Sequence, residues 1–232
     1  DDLAALCRRM DLYALPPERI WGELEKLLIK APVPSIGWSL LYALDIANKL
    51  FPELTNAPLG PVGSALDRAA NQRAAMGSSG RAIALMLATM LSRTTAEHAE
   101  ATLDRLALHK MHGYPVRKRV LEAMAAVPHL TDEASDAMLR QLADKTELLL
   151  ACTTAFAASG SRAALGNLDR ADQMGIAREP LPPLLTGADL RRRGIEQGPE
   201  FGRILRSVRE AQIDGTVPSR DAAIIWLDDH LK

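Results

Sequence analysis

The sequence predicts an all-α protein of about a dozen helices, and three observations carry that expectation. Aromatic residues make up only 4% of the 232-residue chain, and few aromatics beside abundant Ala and Leu weigh against β-structure. Apolar residues recur at helical spacing through most of the chain. Gly and Pro fall between the periodic stretches, where they mark turns.

Leu3, Leu6, Cys7 and Met10 form the first helical stripe. Pro16-Pro17 opens a second helix, because Pro at the first helical position sacrifices no hydrogen bond. Its apolar face is Ile20, Leu24, Leu27 and Leu28, with Glu18, Arg19, Glu23 and Lys26 outside. Leu40, Leu41 and Leu44 predict a third helix, closed by Pro52. Gly60, Pro61 and Gly63 mark a boundary, followed by a helix through Leu66, Ala70 and Arg73 that ends in the turn Gly77-Ser78-Ser79-Gly80. The next stretch, 81–91, is apolar on every side and reads as a buried central helix.

Thr94, with Glu97 three residues on, reads as a capping box, and Ala99, Leu103 and Leu106 are the stripe of the helix it starts. Gly113-Tyr114-Pro115 turns the chain into a helix through Val116, Val120, Leu121 and Met124. Thr131 and Ser161 are N-cap candidates, and Gly175 suits the residue after a helix end. Three prolines between Glu179 and Leu185 set a second boundary. Beyond it lie helices around Asp189, over 200–212 and over 219–231. The expected regions are therefore 1–59, 60–178 and 179–232, with Leu24, Leu28, Leu87, Leu91 and Leu205 in the core.

The composition, 47% hydrophobic and 25% charged, is that of a folded globular chain. Twenty-eight basic against 29 acidic residues leave a net charge of −1, so any surface for a polyanion must be local. Cys7 and Cys152 stand alone, which argues against a disulfide framework or a structural zinc site. The apolar runs Ile83–Leu91 and Leu148–Ala158 are too short to span a bilayer, and no secretory leader is read at the N-terminus. No membrane partner and a cytoplasmic location are expected. The first residue is Asp rather than Met, so a processed chain or a piece of a longer one is expected.

Several catalytic constellations are absent from the sequence. There is no GxxxxGK[ST], GxGxxG or HExxH, and no DxD pair for a two-metal carboxylate clamp. None of the five histidines is followed by Asp. His109 and His112 share a helical spacing but have no third ligand nearby, and a solvated helix end accounts for them. No catalytic residue and no metal ligand are assigned.

Basic residues do cluster. Arg105, Lys110, Arg117, Lys118 and Arg119 follow one another with no acid between them. Arg191, Arg192 and Arg193 precede Arg203, Arg206 and Arg209 on the next helix. These groups read either as salt-bridged helix surfaces or as phosphate contacts. Gly198-Pro199 starts a helix, leaving free backbone N–H groups where a phosphate could sit, with Arg203 and Arg206 one turn along.

The segment from Leu184 to Gly215, with Gly187, Asp189, Leu190, Gly194, Gly198, Pro199, Gly202, Leu205, Gln212, Asp214 and Gly215 at the matching positions, resembles the C-terminal signature of bacterial CCA-adding tRNA nucleotidyltransferases and the related poly(A) polymerases. The run from Leu15 to Leu28, with Phe51-Pro52-Glu53-Leu54 after it, resembles the neck of the same family. The resemblance implies neck helices over 1–59, a body over 60–178 and a tail over 179–232. Many members carry an HD phosphohydrolase domain in the middle. Here Val62-Gly63-Ser64-Ala65-Leu66-Asp67 stands where its first His motif belongs, and Leu91-Ser92-Arg93-Thr94 where its His-Asp belongs. The resemblance thus implies a degenerate, non-hydrolytic HD-like scaffold.

The family's catalytic head, with its paired carboxylates, has no counterpart in this chain. What the resemblance implies is the tRNA-holding part of the enzyme, working with its own or a separate head domain. Mg²⁺ and CTP or ATP would bind only there, and no cofactor is expected in this chain. Lys110, Arg117, Lys118, Arg119, Arg191, Arg192, Arg203, Arg206 and Gly198 are the expected RNA-binding positions. A poly(A) polymerase C-terminal region and a non-catalytic helical adaptor remain as alternatives.

Overall fold

The computed structural model describes residues 2–12, 14–54 and 59–230. Among these there are fourteen α-helices and no strand beyond one isolated antiparallel bridge between Met111 and Tyr114. The chain is all-α.

The N-terminal part is α1 (Asp2–Arg9), α2 (Pro17–Glu25), α3 (Pro34–Ala43) and α4 (Ile46–Leu50). Helix α2 buries Ile20, Trp21 and Leu24, then widens into a π-turn over Lys26–Lys30 that buries Leu28. The carbonyls freed at its end are taken by one guanidinium. Arg73 donates to Leu28 O at 2.7 Å and to Ala31 O at 2.9 Å, which serves as a C-cap from a distant helix.

The break expected at residues 60–63 falls in the first turn of α5 (Leu59–Gln72). Gly63 is there for close approach: a Cβ would sit 3.2 Å from Ser35 Cβ on α3. Asp67 binds the same neighbour, accepting the Ser35 N–H at 2.9 Å. One apolar core therefore runs unbroken from Ile20 to Ala177, across the position where two regions were expected to part.

At the centre of that core is α6 (Ser79–Leu91), buried at every position from Ala82 to Leu91. Around it pack α5, α8 (Val116–Ala126) and α10 (Leu148–Ser159), with α7 (Ala96–Arg105), α9 (Asp136–Lys145) and α11 (Arg162–Gln173) outside. The N-caps depart from the sequence expectation. Thr95, not Thr94, accepts from His98 N at 3.2 Å. Thr94 instead donates to Leu91 O and finishes α6. Ser135, not Thr131, caps α9, whereas Gly175 takes the left-handed conformation after α11 (φ 70°) as expected.

The tail is α12 (Gly187–Arg192), α13 (Pro199–Asp214) and α14 (Arg220–His230). It has its own small core of Leu185, Leu190, Phe201, Val208, Val217, Ala223 and Leu227. Leu205, expected in the core, is only half-buried against this cluster, because Phe201 and Val208 occupy the inward line of α13.

Candidate nucleic-acid interface

The body cluster begins α8 as expected, but acids from elsewhere meet it. Arg117 lies 3.3 Å from Asp104 and 3.5 Å from Glu100, both on α7. Arg119 pairs with Glu122 one turn on at 2.9 Å, and Lys118 reaches the same carboxylate at 3.8 Å. Cations in a first helical turn oppose the macrodipole, and these carboxylates offset that cost. Arg105 is withdrawn into the fold, gripping Glu53 at 2.6 Å and Leu50 O. Lys118 is the most exposed of the triplet. Lys110 is exposed just before the turn closed by Met111 and Tyr114 and makes no ion pair among the described residues.

That turn is pinned from below. Tyr114 donates its hydroxyl to Glu147 at 2.6 Å, and Arg81 lies 2.9 Å from the second Glu147 oxygen. Burial, followed by the bond to Glu147, pushes the Tyr114 hydroxyl far above its ordinary range. A Cβ on Gly80 would lie 2.4 Å from Tyr114 Cβ, so only glycine lets the turn sit against α6.

The tail cations divide in two. Arg192 pairs with Asp189 at 3.3 Å, Arg193 with Asp228 at 3.0 Å, and Arg209 with Asp144 of α9. Among the described residues Arg191 and Arg203 are exposed without an ion pair, and Arg206 is exposed with only its own helix carbonyl, Gly202 O, at 3.2 Å. Gly198 is the exposed N-cap of α13, in extended conformation and with no side-chain cap on the helix N–H groups. Buried Asp189 organises the other end. It accepts the Thr186 N–H and hydroxyl at 2.8 Å each and a bond from Arg220, which together hold its carboxyl well below the usual carboxylate range.

Between α9 and α13 lies a cleft of about 460 Å³. Lys145, the last residue of α9, lines it with Arg206 and Arg209. Lys145 follows Asp144 directly and stands outside the basic clusters of the sequence. That acid is taken up by Arg209, and Lys145 is exposed without an ion pair among the described residues. A larger groove of about 710 Å³, also missed, is apolar: Met10, Leu15, Leu24, Leu27, Leu40 and Phe51 line it.

At the positions where the resemblance places lost HD-domain ligands, the side chains serve the backbone. Asp67 accepts from Ser35 N, Ser92 donates to Thr89 O, and Arg93 donates to Ala158 O. Among the described residues no three His, Cys, Asp or Glu side chains converge to hold a metal ion. No described helix is long and apolar enough to cross a membrane.

Residues 7–57 match a family model described as "Probable RNA and SrmB- binding site of polymerase A". The match supports an RNA-binding region of the poly(A) polymerase and CCA-adding kind. No curated protein and no solved structure matches the chain.

Proposed function

We propose that this chain is the tRNA-holding neck, body and tail of a cytoplasmic CCA-adding tRNA nucleotidyltransferase, gripping the acceptor and T-stem backbone for a catalytic head that the chain does not contain. The observation that carries the reading is the polymerase RNA-binding match over residues 7–57 on the same chain as exposed tail cations that no carboxylate among the described residues neutralises. Arg191, Arg203 and Arg206 can each release counterions from a phosphate, the sequence-independent part of nucleic-acid affinity. Trp21, Trp38, Phe51 and Phe201 are all buried, so none is a platform for unstacked bases. Recognition of an A-form helix by shape and backbone needs no such platform.

Nucleotide addition would belong to the head, with its Mg²⁺ and CTP or ATP. This chain's part in that reading is to hold RNA. The printed description of the matched family favours one second reading, the C-terminal region of a poly(A) polymerase.

The test is competition binding of the pure chain to a tRNA transcript lacking its 3′ CCA and to single-stranded oligo(A). Tighter binding of the tRNA with a steep salt dependence supports the proposal. Preference for oligo(A) moves the assignment to the poly(A) polymerase, and binding to neither leaves a helical adaptor.

A further inference from the structure

We infer that Lys145 is a phosphate contact, and that it joins the body and tail basic groups into one RNA track crossing the joint between α9 and α13. The inference rests on the RNA-holding reading above and adds a residue and a path to it. Arg140 donates to Ile213 O at 2.6 Å, and Arg209 donates to Asp144 at 3.0 Å through Nε. The pairs 140 with 213 and 144 with 209 make the two helices pass in opposite senses.

Charges are sorted along that crossing. Asp144 is neutralised by Arg209, and Glu210 and Asp214 lie toward the C-terminal end of α13, on the Arg140 side. On the other side of the Arg209–Asp144 pair come Lys145 and Arg206, which share the cleft, and then Arg203 one turn further out. All three are exposed and none has an ion pair among the described residues.

The same end of α9 leads to the body cations. Two residues after Lys145, Glu147 receives the Tyr114 hydroxyl at 2.6 Å and is offset by Arg81. Tyr114 closes the turn that Lys110 directly precedes. Lys110 thus stands beside a turn whose Tyr114 is bonded to Glu147, and Lys145, two residues before Glu147, lines the cleft with Arg206. Both carboxylates here, Glu147 and Asp144, already face an arginine. A duplex backbone following this path meets unpaired cations beside a body turn, at the end of α9 and on α13.

The experiment measures tRNA affinity at several salt concentrations for the full chain, Lys145→Gln, Lys145→Glu and the control Arg162→Glu at the exposed start of α11, outside the matched segment and the basic clusters. Lys145→Gln is expected to flatten the log–log salt slope by about 0.9, one duplex phosphate contact. Lys145→Glu should weaken binding further with the helical circular dichroism unchanged, while Arg162→Glu leaves both quantities near wild type. Wild-type slope and affinity in both Lys145 variants would overturn the inference while leaving the RNA-holding reading intact. A wild-type chain that binds no tRNA overturns both. Equal losses in Arg162→Glu would mean bulk charge alone, and would also overturn it.

Discussion

Arg209 of α13 reaches across to Asp144 of α9 and at the same time donates to Leu181 O at 2.8 Å in the segment that links body to tail. One guanidinium thus ties three pieces of chain. Two separate apolar cores meet at this joint, and the fixed fork of arginine suits it better than a lysine would. Replacing Arg209 with Ala is expected to cost about 1–3 kcal/mol, since Leu181 O and Gln212 lose a donor. Hydrogen exchange in α12–α14 should quicken while α6 stays protected. Uniform loss of protection would show that body and tail unfold as one unit.

Leu87 and Leu205 should separate sharply. Leu87 is fully buried in α6, so Leu87→Ala is expected to destabilise by about 2–5 kcal/mol. Leu205 is half-buried on the tail, and the same change there should cost about 1 kcal/mol. Denaturant unfolding of both variants checks this, and equal shifts would place Leu205 in a core that the fold does not give it.

That contrast shows what the sequence made legible. Helical period and turn residues report local structure, so the all-α class, the buried α6 and the three tail helices were readable. Caps slipped by a few residues where neighbouring hydroxyls competed, as with Thr94 and Thr95. The expected break at 60–63 was misplaced because glycine marks close approach as readily as a loop, and Gly63 faces Ser35. For the candidate interface the clusters were visible but their neutralisation was not. Glu53 and Asp144 lie 52 and 65 residues from the arginines they bind, and no local pattern announces such partners.

The two cysteines should differ in alkylation. Burial, with a smaller push from Asp172, raises the Cys152 thiol to about 12, which leaves almost no reactive thiolate near neutrality. Cys7 is partly exposed. Iodoacetamide at pH 8 is expected to label Cys7 in the native chain and to reach Cys152 only in denaturant. Native labelling of both, mapped by peptide mass spectrometry, would show that α10 opens readily.

Asp189 makes the tail's acid response predictable. Its carboxyl is depressed in the folded state by the Thr186 bonds first and Arg220 next. A depressed folded pKa means stability that is present above the unfolded value and is lost as pH falls through the folded one. The Asp189 contribution should therefore decline below about pH 4, where unfolded Asp protonates. Asp189→Asn removes the charge that Arg192 and Arg220 face, so its tail should be looser at pH 7 and should show a weaker acid dependence. Tail-specific hydrogen exchange at pH 7 and pH 3 reads this, and an identical pH response in the two proteins would refute it.

The basic clusters carry unequal expectations for RNA. Arg117 and Arg119 are engaged by Glu100, Asp104 and Glu122, so reversing their charge sets like against like within the fold. The variant that isolates this surface is Lys118→Glu, which touches the most exposed member of the triplet. Among the described residues Arg203 and Arg206 have no acid to release before meeting a phosphate, and their double Glu variant should flatten the tRNA salt slope by about two. Lys118→Glu should flatten it by about one at most, less if Glu122 holds the lysine at the 3.8 Å seen here. Equal slopes for wild type and the 203/206 variant, with helicity intact, would shift the RNA path off α13 and toward the neck, where the family match lies.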